Sequence, residues 1–348
     1  MQNTLAIRAI AQLGDGKGGA SGRARRLFVA GRAEPEFACA EIIRRDGSGT
    51  TRRLISAADL RADPDASLAQ LLAELERPRA AIAGLSFDRP RIMGIVNVTP
   101  DSFSDAGRHF DTGAAVAHAL SLEAEGADIL DIGGESTRPG AAGIDVEEEC
   151  RRVLPVIARL VQEARVPLSI DTRNSEVMRR AAAAGVRLVN DVSALRHDAQ
   201  SLPTLAETGL PVVLMHAQGD PATMQDAPRY ADVVLDIYDF FTERIAASEA
   251  AGIPRSRLIL DPGIGFGKTL AHNLELLRAL SLFHGLGCVL MLGASRKSFI
   301  AHLTGAPLSH RLPGSLAAAL IGAAQGVQVL RVHDVAATRQ ALAVWQGQ

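Results

Sequence analysis

The chain has 348 residues, 47% of them apolar and 22% charged, with a formal net charge of −2. That composition places it among soluble globular proteins, with room for one core of roughly 250 residues plus a smaller appendage, and its arginines are too scattered to form a nucleic-acid or membrane-binding face. The three cysteines, Cys39, Cys150 and Cys288, are odd in number and share no metal-ligand spacing, which argues against disulfides and structural zinc and points to a reducing cytoplasm. The N-terminus lacks the apolar stretch of an export signal, and no later run approaches the roughly eighteen apolar residues that span a bilayer.

Residues 1–86 are Arg-rich and irregular. They carry a candidate hairpin, FACAEIIRRDGSGTTRRLIS, with Asp46 and Gly47 at its turn, and then a capped helix within DPDASLAQLLAELERPR. This is a small α+β extension of unassigned role, with residues 83–90 as the linker into a second unit, 87–348. From Arg91 onward short β-rich runs alternate with segments of helical period, the pattern of βα units around a parallel sheet. The runs fall at 91–98, 128–134, 167–172, 187–193, 211–216, 258–263, 288–293 and 327–334. Eight such strands predict a closed (β/α)₈ TIM barrel. An open doubly wound sheet competes with it, but no G-x-G-x-x-G follows the first strand. Between the strands, Val153, Ile157, Leu160 and Val161 form one apolar stripe, Leu274, Leu277 and Leu280 another, and Gly185 closes a helix begun near Asn174.

Most of the runs finish in polar residues: Asn97, Asp171, Asn190 with Asp191, His216, Asp261, and Arg331 with His333. In a barrel these strand ends reach one face, where the sites of this architecture are built. The loop NVTPDSFSDAGRHF after the first strand is longer and more polar than a βα turn requires and reads as a lid. GGESTRPGAAG follows the second strand, where Arg138 either clamps an anion or pairs with Glu135. In DPGIGFGK, Lys268 suggests a phosphate loop, but the spacing is wrong for one. Two carboxylates and an amide in an apolar barrel mouth suit a flat heterocycle rich in N–H groups, such as a pterin or guanine-like ring. SRKS at a helix start, with Arg331 and His333 on the last strand, makes a phosphate corner. The bland alternative is a salt bridge from that pair to Asp334.

MGIVNVTPDSFSDAG, DIGGESTRPGA, SIDT, NDVS, VLMH-x-QG, DPGIGFGK, SRKS and RVHDV occur in this order at the strand ends. Over about residues 88–348 the chain thereby resembles the dihydropteroate synthases, a folate-biosynthesis family of pterin-binding barrels and sulfonamide targets. The resemblance implies condensation of 6-hydroxymethyl-7,8-dihydropterin pyrophosphate with 4-aminobenzoate. It implies that Asp171, Asn190, Met215, Asp261, Phe266 and Lys297 bind the pterin, and that Thr137, Arg331 and His333 bind the pyrophosphate. Phe103, Thr137, Pro139, Phe266 and Ser298 would surround the aminobenzoate, with Asp105 facing the reacting carbon and Asn97 helping to hold Mg²⁺. Asp105, Lys297, Arg331 and His333 are the catalytic set so implied, and a homodimer is the family-level expectation. Ala106, His109, Ala217 and residues 312–314, read as a loop, depart from the usual pattern without removing a proposed contact. A folate-dependent methyltransferase, or a pterin-binding protein whose extension blocks the mouth, are the alternatives.

Overall fold

The computed structural model describes residues 3–11, 27–31, 36–99, 111–135, 143–219, 224 and 227–347. Strands β5 (Arg91–Asn97), β6 (Ile129–Gly133), β7 (Leu168–Asp171), β8 (Leu188–Asp191), β9 (Val212–Met215), β10 (Leu258–Asp261), β11 (Val289–Leu292) and β12 (Val329–Val332) pair in parallel and close into a barrel. Each lies inside its expected run and is shorter, because the parallel ladder ends where the chain turns away. His216 and His333 therefore sit one residue beyond their strands.

Period-two alternation sorts the strand side chains into two cores. Met93, Ile129, Leu188, Val213, Ile259, Val289, Met291 and Val329 form the interior cluster. The opposite parity, including Ile92, Leu130, Ile170, Leu214, Leu260 and Leu330, joins the larger core beneath the helices. Ile82 and Phe87 also belong to the interior cluster, entering at the N-terminal ends of the strands, so the stretch read as a linker closes the barrel floor.

The barrel helices are α3 (Thr112–Ala124), α4 (Val146–Glu163), α5 (Ser175–Ala184), α6 (Ser201–Thr208), α7 (Val233–Ala250), α8 (Leu270–Arg278), α9 (Ser298–Thr304), α10 (Leu312–Ala324) and α11 (Val335–Trp345). The α4 stripe buries Val153, Ile157 and Leu160 fully, whereas Val161, one position further round, is 38% exposed. Gly185 caps α5 at φ 111°, as read. Asn174 precedes α5 but makes no cap, because its Nδ2 donates to Glu149 Oε2 at 2.7 Å. Leu312 and Pro313 open α10 rather than forming a loop, with proline's fixed φ suited to a first turn.

Among its described residues the N-terminal extension holds more regular structure than its sequence suggested. β3 (Glu36–Asp46) and β4 (Gly49–Ser56) form the expected hairpin, and β1 (Thr4–Ala11) and β2 (Leu27–Phe28) complete an antiparallel sheet. With α1 (Ala57–Ala62) and α2 (Ala66–Glu76) it builds its own core around Ile7, Phe37, Leu60, Leu68 and Leu75. The sheet lies along the outer wall of the barrel: Ser281 Oγ donates to Ala9 O at 2.6 Å, and Thr4 Oγ1 donates to Asp239 Oδ1 at 2.7 Å. Arg79 fastens its base, donating to Cys288 O at 2.9 Å and His284 O at 2.7 Å.

Candidate active site

The inward parity that makes the apolar lumen continues upward into polar residues. Asp131, Asp171, Asn190, Met215, Asp261 and Arg331 each lie two or four residues beyond an inward apolar position on their strand or at the same level on the neighbouring one. Asn97 is level with Gly133, Gly133 with Asp171, and Asp171 with Asn190, so one layer runs round half the mouth. Two strand-end residues singled out in the sequence do not join it. Asp191 has the outward parity and accepts from Ser193 N at 2.7 Å and Leu195 N at 2.9 Å, holding its own turn. His216 also turns out of the lumen, packing edge-on to Phe240 with ring centroids 4.8 Å apart.

Arg331 organises the polar layer. Its Nε donates to Asp131 Oδ2 at 2.7 Å and its Nη2 to Asp171 Oδ2 at 2.6 Å, while Asn190 Nδ2 donates to the same Asp131 oxygen at 2.9 Å. Asp131 is fully buried, and its other oxygen has no hydrogen-bond partner among the described residues. Sequence reasoning passed over Asp131 because DILDIGG reads as an apolar strand. Its alternation with Ile129 and Gly133 was the available signal. Asp334 does not pair with Arg331, because Arg296 holds it in a two-pronged ion pair, with Nε at 2.9 Å from Oδ2. His333 Nδ1 lies 3.0 Å from Ser295 Oγ, which links the last strand to the turn before α9.

Across the mouth, Asp261 Oδ1 accepts from Gly263 N at 2.8 Å. Gly293 places Asp261 and Lys297 side by side: a Cβ there would be in ordinary contact with both, 3.4 Å from Asp261 Oδ2 and 4.0 Å from Lys297 Nζ. Lys297 Nζ donates to Ile264 O and lies 4.5 Å over the Phe266 ring. A cavity of about 350 Å³ opens beside this group, lined by Phe266, Ala217, Val192, Ser193, Arg173 and Arg196 among others. That volume suits a small flat ligand. Arg173 grips Glu135 through both oxygens, at 3.0 and 3.1 Å, taking the place imagined for Arg138.

The electrostatics follow from burial. Desolvation raises the Asp171 carboxyl to about 7 despite Arg331, with Asp131 adding repulsion. Desolvation likewise raises Asp261 and lowers the Lys297 ammonium to about 8, Asp261 opposing the latter shift. Asp171 and Lys297, both shifted toward neutrality in one mouth, point to a functional site.

Residues 93–333 match the family model described as "Pterin binding enzyme". The dihydropteroate synthase of Escherichia coli (strain K12) is 50% identical over 260 residues, covering 75% of this chain and 92% of that protein. The chain belongs to the dihydropteroate synthase family of pterin-binding enzymes. The Neisseria meningitidis serogroup B dihydropteroate synthase is also 50% identical, over 270 residues, 75% of this chain and 94% of its own. Among solved structures, Xanthomonas albilineans dihydropteroate synthase with 4-aminobenzoic acid shares 55% identity at a TM-score of 0.73, covering 78% of this chain and 97% of that one. The same enzyme with 7,8-dihydropteroate gives 0.70 at 52% identity, over 78% and 98%. Yersinia pestis dihydropteroate synthase in a sulfonamide drug complex gives 0.73 at 46% identity, over 77% and 97%.

Of the residues that the family likeness nominates, Asp171, Asn190, Met215, Asp261, Phe266, Lys297, Arg331 and His333 gather around one mouth. Asn97 ends β5 on the same rim, half-buried, and Ser298 opens α9, exposed, next to Lys297. Phe103, Asp105, Ala106, His109, Thr137, Arg138 and Pro139 lie outside the described residues. The family match begins at residue 93, after the extension.

Proposed function

We propose that this protein joins 6-hydroxymethyl-7,8-dihydropterin pyrophosphate to 4-aminobenzoate, releasing pyrophosphate and forming 7,8-dihydropteroate. The observation that carries the reading is the inward layer in which Asp171, Asn190 and Asp261 face Lys297 and Arg331 in one mouth. Carboxylates and an amide can accept from and donate to an aminopyrimidine edge, while the cations stand beside an anionic leaving group. In this reading Asp171, Asn190, Asp261 and Lys297 hold the ring, with Met215 and Phe266 against its faces. Arg331 and His333 bind the pyrophosphate together with Thr137, and Ser298, Phe103 and Pro139 bind the aminobenzoate with Phe266 and Thr137.

The reaction breaks the bond from the pterin methylene carbon to the pyrophosphate oxygen and forms one from that carbon to the arylamine nitrogen, which then loses a proton. Charge left on the carbon is met by Asp105, and charge leaving on oxygen by Arg331 and His333. Much of the remaining acceleration comes from holding the two substrates together and keeping water out. In this reading Asn97, which ends β5 at the rim, would offer its amide oxygen to a magnesium ion held mainly by substrate phosphate oxygens and water. When bound there it would neutralise pyrophosphate charge.

Three further readings belong with this one. The three cysteines are free, which supports a reducing cytoplasmic location. A homodimer is the family-level expectation, and the exposed side chains of Leu303 on α9, Ile321 on α10 and Val344 on α11 are apolar groups that a partner would cover in it. The sulfonamide drug complex of the Yersinia pestis relative supports binding of that drug class here. No helix among the described residues is long and apolar enough to cross a membrane.

The test is a coupled pyrophosphate-release assay with Mg²⁺, the pterin pyrophosphate, and 4-aminobenzoate present or omitted. Release dependent on the aminobenzoate, with dihydropteroate formed, is expected. Silence from folded, pterin-loaded protein sinks the reading.

A further inference from the structure

The N-terminal extension grips one helix of the barrel at the end nearest the site. Arg45 Nη1 donates to Asp236 Oδ1 at 2.7 Å and its Nη2 to Asp239, while Arg52 Nη2 donates to Asp232 Oδ2 at 2.7 Å. All three acids belong to the start of α7. Asp232 is its N-cap, accepting from Val234 N at 3.1 Å and Leu235 N at 3.0 Å, and Asp236 Oδ2 accepts from Ala231 N at 2.9 Å. The arginines thus hold the outer oxygens of the carboxylates whose inner oxygens fix the backbone at 231–235.

That backbone leads directly to the mouth. Tyr230 OH donates to Gly267 O at 2.8 Å, and its ring stands 5.9 Å from the His216 ring. Gln218 bonds the backbone of Arg229 in both directions, at 3.0 and 3.1 Å. Lys268 Nζ then ties Phe266 O at 2.9 Å to His216 O at 3.2 Å and His216 Nδ1 at 2.9 Å. Phe266 carries the ring beneath Lys297 and lines the cavity with Ala217. A Cβ on Gly267 would stand 2.5 Å from Gln218 O, so the two loops touch backbone to backbone and a shift in one moves the other.

We propose that Arg45, supported by Arg52, is a positioning residue for the pterin side of the site, acting through the N-terminus of α7 and Tyr230 on Phe266 and Lys297. The extension is then part of the catalytic unit rather than a separate attachment. The inference rests on the reading of the mouth as a pterin site. Hydrogen-bonded chains between rigid elements carry coupling of this kind, and a double-mutant cycle measures it.

The experiment uses the whole 348-residue chain and steady-state kinetics in both substrates, with thermal melting alongside. Arg45→Ala is expected to raise KM for the pterin pyrophosphate roughly threefold to tenfold while KM for 4-aminobenzoate stays within about twofold. Arg45→Lys should recover part of the loss. Arg79→Ala loosens the base of the extension without touching α7, so it should lower the Tm and leave both KM values unchanged. The losses of Arg45→Ala and Tyr230→Phe should be less than additive in the double variant. Equal effects of Arg45→Ala and Arg79→Ala on the pterin KM, no change with Arg45→Ala, or strict additivity would each overturn the proposal. If Arg45→Ala does not fold, the partly exposed Arg52→Ala is read in the same way. An inactive wild-type chain overturns the functional reading, whereas an active one with unchanged variants overturns only this coupling.

Discussion

Arg331 lies between Asp131 and Asp171, and Asp131 also receives Asn190, so four side chains from four strands share one set of charge-assisted hydrogen bonds. Asp131→Asn keeps the shape but weakens the grip on the guanidinium. A misplacement of about 1 Å costs on the order of 10²-fold in turnover, and a loss of that size is expected in kcat, with a smaller change in 4-aminobenzoate binding. Full activity would mean that Arg331 is placed by the strand alone. The pH dependence is set by two groups of the mouth. Asp171, raised to about 7, loses its charge below that pH, and Lys297, lowered to about 8, loses its charge above it. If both act charged, kcat/KM for the pterin substrate rises through about 7 and falls through about 8. A flat profile across that window would contradict the assignment. Stability runs the other way at Asp171: its folded pKa exceeds the unfolded value of 3.8, so its contribution is complete below that value and is lost as pH rises toward about 7. Most of these residues were legible as polar strand ends. Asp131 was not, because an acid between Leu130 and Ile132 looks like an interruption until the barrel closes around it.

At the level of elements, the loops after β9 and β10 are packed against each other by their main chains. Gly263 has φ +68°, and an added Cβ there would overlap the His216 carbonyl oxygen. Gly263→Ala must therefore separate the two loops or distort β10. A loss of about 3 kcal/mol or more in urea unfolding is expected, together with weaker pterin binding by calorimetry. Unchanged unfolding would show that the loops can part freely. The sequence marked this glycine-rich stretch and correctly set aside a phosphate loop, but the reason for Gly263 is a neighbour 47 positions upstream in the chain, His216. The outward turn of Asp191 and His216 has the same origin. Chemistry at a strand end is visible in a string of letters, whereas the face it points to depends on where pairing begins.

For the whole molecule, the barrel needs a floor, and Ile82 with Phe87 supply it from the segment that precedes β5. Phe87 is nearly buried beneath the lumen, and large-to-small changes at such sites cost about 3–5 kcal/mol. Phe87→Ala should lower stability to chemical denaturation by an amount near the bottom of that range while leaving kcat little changed, since the mouth is at the other end. A large fall in kcat with intact stability would argue that floor and mouth are mechanically linked. The described part of the extension lies along the outer wall, which gives no support to a blocked mouth.

The strand count, the closed parallel barrel, the hairpin of the extension and the polar ends of the strands were legible in the sequence, because periodicity, turn chemistry and short motifs are local properties. Tertiary structure decided the rest. Tertiary packing brought Asp131 to Arg331, turned His216 toward Lys268 and gave Asp334 to Arg296, and docking of the extension set Arg45 against α7. Each of these joins residues distant in the chain, and the burial that shifts Asp171 and Lys297 exists only once the other strands surround them.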